Sequence, residues 1–282
     1  MTGLANPRRY ILAAILAFIF IWLFVPGAGA AVINQGIDTT TVTRGAILET
    51  HHLLVDGAPC KFYSLKVDLK DSYLDVRPLY GRGGTLENIQ SVTGMAAERG
   101  AVAALNADFF QMANGKPIGL TVQNGEIITS PALRSDMYGM GIYRGNVPQI
   151  LVFGFSGVVE TRDGQSFPLS GVNKPQYLLQ SGVTSDVNSL QLYTPQWGSQ
   201  SRGKVDGLEG PRVEAVVINN VVESVLEDGA AFSIPADGFV LAGHGAAADW
   251  LLENLKAGER IKVSYSLESG DELVSVASAP HQ

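Results

Sequence analysis

GLTVQNGEIITSP, residues 119–131, decides how this chain folds. Asn124-Gly125 sits between two apolar arms of strand length, and an Asn-Gly pair in that setting is the strongest short-range hairpin signal, because both residues accept the positive φ of a type I′ turn. The device recurs in VVETRDGQSFPL at Asp163-Gly164. It recurs again in RVEAVVINNVVESVL at Asn219 and Asn220, both tolerant of left-handed backbone. Tyr63, Leu65, Val67 and Leu69 alternate, as do Leu74 and Val76, which predicts two successive strands across a turn at Asp71 and Ser72. A helix is predicted from about Ala247 to Lys256, with Trp250, Leu251 and Leu255 on its buried face and Gly258 at its end. Ile261, Val263, Tyr265 and Leu267 then alternate as a strand. The 32 glycines are scattered through turns rather than gathered in a linker. The expected class is α+β, hairpin-rich mixed sheets partly covered by a few helices, in one large domain.

A different stretch carries the chemistry. AVAALNADFF, residues 101–110, reads as an apolar strand ending in Asn106, Asp108, Phe109 and Phe110. Alternation along a strand sends Asn106 and Asp108 to one face, an amide beside a carboxylate, with the two phenyl rings walling the same hollow. The preceding LENIQSVTGMAAERG is predicted as a helix of about three turns. Thr85 caps it, Ile89, Val92 and Met95 face inward, and Gly100 closes it. Helix, glycine, strand and polar pair place the exposed end at the strand's carboxyl terminus, where α/β structures hold ligands. Asp108 as a plain turn cap is the competing reading.

Residues 1–30 carry Arg8 and Arg9, an unbroken apolar run from Tyr10 to Val25, then Pro26 and small residues with an Ala28-Gly29-Ala30 cleavage-like site. This is a secretory signal pattern or an N-terminal anchor, and either sends residue 31 onward across the membrane. Removing Arg8 and Arg9 from the formal charge of −7 leaves −9 on the exported part. That balance excludes nucleic acid as a partner and disfavours docking on anionic lipid, so the membrane is met only through an uncleaved leader. Cys60 is the only cysteine. It allows no internal disulfide and is expected as a small buried hydrophobe.

Five segments in order give a resemblance to a known family: SVTGMAAERGAVAALNADFF, GKPIGLTVQNGEIITSP, LSGVNKP, QLYTPQWGSQS and IPADGFVLAGHG. Together, across roughly residues 45–270, they resemble the phosphodiester glycosidase domain of the lysosomal uncovering enzyme and its bacterial relatives. The resemblance implies hydrolysis of a sugar-1-phosphodiester, typically of N-acetylglucosamine, without a cofactor. By motif position it makes Asp108 the working carboxylate, Asn106 a donor to sugar or phosphate, and His244 a second donor or acid. Phe109, Phe110, Gly119, Asn173, Trp197, Arg202 and Gly245 become substrate-binding. Many members have glycine where this chain has Ala107, which narrows the backbone's freedom there. Members also continue into an R-T-A-I-G run, a further helix and a D-G-G-G-S loop, so residues 31–282 are expected to form an incomplete domain.

Other candidates are weaker. His51 and His52 are neighbours on a strand and face opposite ways, which removes them as one metal-ligand pair. Lys116, Arg134, Arg144 and Arg202 follow strand-like segments and could clamp a phosphate; Arg202 is preferred because it follows the WGS turn. Tyr193 and Trp197 could stack on a sugar face. No H-E-x-x-H, EF-hand spacing, cysteine pair, phosphate-binding lysine loop or G-x-S-x-G elbow is present. The sequence thus points to an exported hydrolase acting on cell-envelope or exopolysaccharide material. The alternative is a non-catalytic glycan-binding module of the same fold.

Overall fold

The computed structural model describes residues 31–112, 115–132, 137–175, 188–202, 210–227, 231–268 and 273–280. The leader and Arg134 lie outside the described residues. The chain divides into two compact units, one ending at Asp68 and the other beginning at Leu69, where the sequence suggested one large domain.

The first unit is an antiparallel meander of β1 (Val32–Thr43), β2 (Ala46–Val55) and β3 (Ala58–Val67). Its β2–β3 turn is Asp56-Gly57, with φ of 51° and 80°, the same mirror-type turn read at Asn124-Gly125. Ala46 is its one fully buried apolar residue among those described. His51 stacks on Phe62 with ring centroids 4.0 Å apart and meets Glu49 at 3.2 Å, while His52 meets Asp38 at 2.8 Å. Cys60 is exposed, contrary to expectation, within a run from Ala58 to Tyr63 that is exposed throughout.

The second unit is α+β and hairpin-rich, as the turn signals imply. Its central sheet runs β10 (Gly171–Val172), β11 (Leu190–Tyr193), β14 (Gly238–His244), β12 (Arg212–Ile218), β13 (Val221–Glu227). Period-2 alternation splits these strands cleanly. Leu190, Leu192, Val213, Ala215, Val217 and Leu241 face a core shared with α2 (Ala246–Asn254) and with Val159, Leu169 and Ile261 on the side of the sheet β15 (Ile261–Glu268), β8 (Gly154–Thr161), β9 (Ser166–Pro168). Tyr193, Val216, Val240 and Ala242 face a second core with Leu86, Ile128 and Trp197. A further sheet runs β5 (Glu126–Thr129), β4 (Thr121–Gln123), β16 (Leu273–Pro280), β6 (Met137–Tyr143), β7 (Val147–Val152) and closes on Leu120, Val122, Phe153 and Val276.

The hairpins fall where their turns place them. Asn124 and Gly125 have φ of 53° and 79° between β4 (Thr121–Gln123) and β5 (Glu126–Thr129). Asn219 and Asn220 have φ of 52° and 63° between β12 and β13. Asp163-Gly164 joins β8 (Gly154–Thr161) to β9 (Ser166–Pro168). The helix expected from Ala247 is α2, and the strand after it is β15 (Ile261–Glu268).

Four expectations are corrected. The helix before residue 100 is α1 (Val92–Arg99), shorter than read, and it is capped by Ser91 rather than Thr85, with Gly100 left-handed at its end. Leu86 is instead buried, its N–H bonded to Gln196 O at 2.8 Å, which holds the preceding turn out of the helix. Leu74 and Val76 form no strand, although Asp71 does make its turn by accepting the Tyr73 N–H at 3.0 Å. Residues 273–280, for which the sequence announced no element, form β16 (Leu273–Pro280), inserted between β4 and β6 (Met137–Tyr143). Last, residues 101–107 are not a strand; Val102 and Leu105 are 66% and 71% exposed.

Leu251 is the largest of the three fully buried residues, with Ala247 and Ala248, that α2 packs into the core of the central sheet. Leu251→Ala is expected to lower the unfolding free energy by about 2–5 kcal/mol, read as a lower urea midpoint with the slope unchanged.

Candidate functional site

Asp108 stands at the mouth of a short hairpin built from Phe109–Gln111 and Lys116–Ile118. Ile118 N–H donates to Phe109 O at 2.9 Å, Gln111 N–H donates to Lys116 O at 2.8 Å, and Phe110 faces Pro117. The next rung is completed by a side chain: Gly119 N–H donates to Asp108 Oδ2 at 2.7 Å. The other oxygen, Oδ1, is shut off from solvent and has no hydrogen-bond partner among the described residues. Burial pushes the Asp108 carboxyl up to about 6, against the lowering pull of the Gly119 N–H, of Lys174 and of the Phe109 N–H.

Lys174 was not singled out in the sequence, although it lies inside the LSGVNKP segment. It is 7% exposed, and its Nζ donates to the carbonyls of Ile118, of Gly119 at 3.2 Å and of Ser130 at 2.8 Å. Burial drives its ammonium down and the Asp108 carboxylate drives it back up. Asn173 delivers it. With φ of 51° Asn173 turns the chain, while its Nδ2 donates to Ile128 O at 2.8 Å and its Oδ1 accepts the Thr194 N–H at 2.9 Å. Asn173 is therefore a fully buried scaffold residue, its amide occupied by backbone rather than turned outward to a ligand.

The aromatic expectations change in the same way. Tyr193 and Trp197 are 0% and 4% exposed, with ring centroids 4.8 Å apart, so they pack rather than offer an open sugar platform. The Trp197 face is taken by Lys116, whose Nζ lies 4.2 Å from the ring centroid and donates to Trp197 O at 2.6 Å. Burial lowers the Lys116 ammonium to about 8, with Glu87 raising it. Arg202 is half-buried, its guanidinium carbon 5.9 Å from the Tyr193 ring, and Arg144 is exposed in the turn after β6.

Asn106, Phe109 and Phe110 expose their side chains, and Phe109 acts on the Asp108 carboxyl through its backbone N–H. With no strand over 101–107 the alternation that would pair positions 106 and 108 is lost; Asn106 is exposed, and the two phenyl rings are 56% and 48% exposed. His244 ends β14 and is 3% exposed. It does not cap α2: Gly245, at φ 56°, occupies the cap position and Asn188 Oδ1 takes the Ala246 N–H at 3.0 Å.

Sheet register relates the two clusters. His244 lies opposite Arg212, and Ala242 lies opposite both Glu214 and Gln191, all on one sheet face. His244 and Gln191 are thus diagonal neighbours, about 7–8 Å apart. A Cβ on Gly171 would come within 2.7 Å of Gln191 Oε1, 2.9 Å of Ser130 Oγ and 3.0 Å of Lys174 Cγ, so Gln191 and Lys174 pack over the same glycine. Buried polar residues Gln191, Glu214 and Lys174, with His244, mark a polar face that only three-dimensional register reveals. Among the described residues no group of three His, Cys, Asp or Glu side chains could hold a metal ion.

No protein-family model and no curated protein matches the chain. Similar solved structures include a hypothetical protein from Synechocystis, with a TM-score of 0.72 and 16% identity over 89% of this chain and 48% of that one. Another is a Burkholderia pseudomallei protein described as a "putative exported protein", with a TM-score of 0.70 and 16% identity over 91% of this chain and 75% of that one. The chain thus spans about half the length of the Synechocystis protein it matches. At this identity the likeness is one of fold.

The raised Asp108 carboxyl gives a signed stability effect. A group whose folded value lies above its ordinary 3.8 favours the fold fully below 3.8, and that contribution is lost as pH rises through about 6. Asp108→Asn keeps an acceptor for Gly119 and cannot ionise. Relative to wild type it is expected to gain on the order of 2 kcal/mol of unfolding free energy between pH 4 and pH 7, checked by urea unfolding at both values.

Proposed function

We propose that this chain is an exported hydrolase of sugar-1-phosphodiesters of the N-acetylglucosamine-1-phosphodiester type, working on cell-envelope or exopolysaccharide material. The observation that carries the reading is the Asp108 carboxyl, half-satisfied by Gly119 and raised towards neutrality, at the point where the NADFF segment resembles the phosphodiester glycosidase family. Export is supported by the Arg8-Arg9 leader pattern and by the likeness to the Burkholderia protein.

The chemistry asks little of an acid. Water adds to C1 of the sugar, the C1–O bond breaks, and its electron pair leaves with a phosphate monoester that is stable without protonation. The proton lost by water goes to the Asp108 carboxylate at Oδ1, the oxygen without a hydrogen-bond partner; since Oδ1 is shut off from solvent, the water has to be admitted to it before the step. A base whose value is about 6 is mostly ionised at neutral pH and loses its function in acid.

A second reading is a glycan-binding envelope module of the same fold. It is favoured by the inward turn of the Asp108 carboxyl and the burial of Trp197 and Asn173, which leave less of the implied sugar site open. Incubating purified protein with an N-acetylglucosamine-1-phosphodiester separates the two. Turnover is expected, with kcat/KM falling as pH drops through about 6 and with Asp108→Asn slower by about 10²–10⁴. Binding to envelope polysaccharide with no sugar released would establish the module instead.

A further inference from the structure

We propose that Lys174 is the positioning residue for Asp108: one buried ammonium fixes the peptide group that orients the carboxyl. This rests on the reading of Asp108 as the working carboxyl and adds to it a residue outside the set that the family resemblance picks out.

The connection is a single peptide plane. Ile118 C=O and Gly119 N–H belong to the same planar, trans unit and point in opposite directions. The carbonyl end accepts from Lys174 Nζ and the N–H end donates to Asp108 Oδ2 at 2.7 Å. An ammonium pulling on the carbonyl oxygen polarises the N–H on the far side, so the two hydrogen bonds strengthen each other. The neighbouring peptide is held as well: Gly119 O accepts from Lys174 Nζ at 3.2 Å and from Thr129 Oγ1 at 2.8 Å. The carboxyl therefore points where Lys174 allows.

Lys174 itself is fixed from every side. Its Nζ serves three carbonyl oxygens, and a lysine nitrogen carries three protons only as the ammonium. Those carbonyls are neutral, so the charge is answered by Asp108 across the shared peptide. Its own carbonyl accepts from Tyr193 Oη at 2.8 Å, and Asn173 before it is locked to Ile128 and Thr194. Asp108 and Lys174 are the two ionisable groups that act on each other here, and burial opposes the charge on both. A lysine that merely filled space would hold the fold and leave the titration of Asp108 where it was.

The test reads the Asp108 carboxyl directly, by ¹³C NMR, its signal identified by its loss in Asp108→Asn. In Lys174→Met the Asp108 midpoint is expected to rise by about one pH unit or more, because a cation that had favoured the carboxylate is gone. Lys174→Arg, which returns the charge, is expected to bring the midpoint back towards the wild-type value. A folded Lys174→Met protein with an unmoved Asp108 midpoint overturns the proposal. Should Lys174→Met fail to fold, wild type decides: the ¹⁵Nζ resonance of Lys174 must shift with the titration of Asp108, and an ammonium blind to that titration overturns it equally. None of these readouts needs turnover. An inactive protein whose titrations behave as expected would sink the hydrolase reading and leave the role of Lys174 standing.

Discussion

A lysine ammonium taken out of water must recover its hydration from the protein, and in this fold that requirement organises everything around the candidate site. Lys174 recovers it from Ile118, Gly119 and Ser130, three carbonyls contributed by two chain segments on either side of the β4–β5 hairpin. The hairpin ends can converge on one nitrogen only if the chain carrying Lys174 turns into them. Asn173 supplies that turn in a left-handed conformation and replaces the missing strand bonds with its own amide. An apolar residue at position 174 would take the ammonium from the Ile118 and Ser130 carbonyls, at about 1–3 kcal/mol for each acceptor left unsatisfied, while Gly119 O would keep Thr129 Oγ1.

The constraint extends to the second core. Tyr193 closes the Lys174 carbonyl and packs on Trp197, and Trp197 is covered on its face by Lys116. Lys116 in turn sits on the return arm of the hairpin that begins at Asp108. Two lysines thus bracket one loop, one under Gly119 and one under Trp197, and each gives its protons to backbone oxygens. That explains why residues read from sequence as outward phosphate clamps or sugar platforms are turned inward: their polar groups are needed to satisfy backbone that enters the core without a full strand ladder.

What the sequence makes legible is local. Asn124-Gly125 and Asn219-Asn220 announce their hairpins because the positive φ of the turn is a property of those residues alone. Leu251 and Leu255 announce α2 because the helical period is carried within a few residues. The missed elements are those decided from a distance. AVAALN alternates like a strand, yet a strand exists only through a partner, and none pairs with it among the described residues. Leu273, Val274 and Val276 open β16 and only alanine, serine and Pro280 follow, too short an apolar run to announce a strand, yet it pairs with both β4 and β6. Leu86 would extend α1, but its burial against Trp197 and its bond to Gln196 outweigh one more turn of a short helix.

The candidate site divides along the same line. Asp108 and Asn173 are legible as unusual residues in a recognisable order, whereas Lys174, Gln191 and Glu214 look like ordinary polar positions until register stacks them. Gln191 lies beside Ala242 and Glu214 lies beside the same residue from the other strand, which puts polar groups on a face otherwise built of Tyr193, Val216 and Val240. Burying such groups costs free energy unless each is answered, and a fold that retains them on one face beside a half-satisfied carboxyl is spending stability on a polar arrangement. Hydrophobic residues of similar size would pack the same space more cheaply. Of these groups Lys174 is the one that acts on the Asp108 carboxyl, while Glu214 answers Ser201 by accepting from its Oγ.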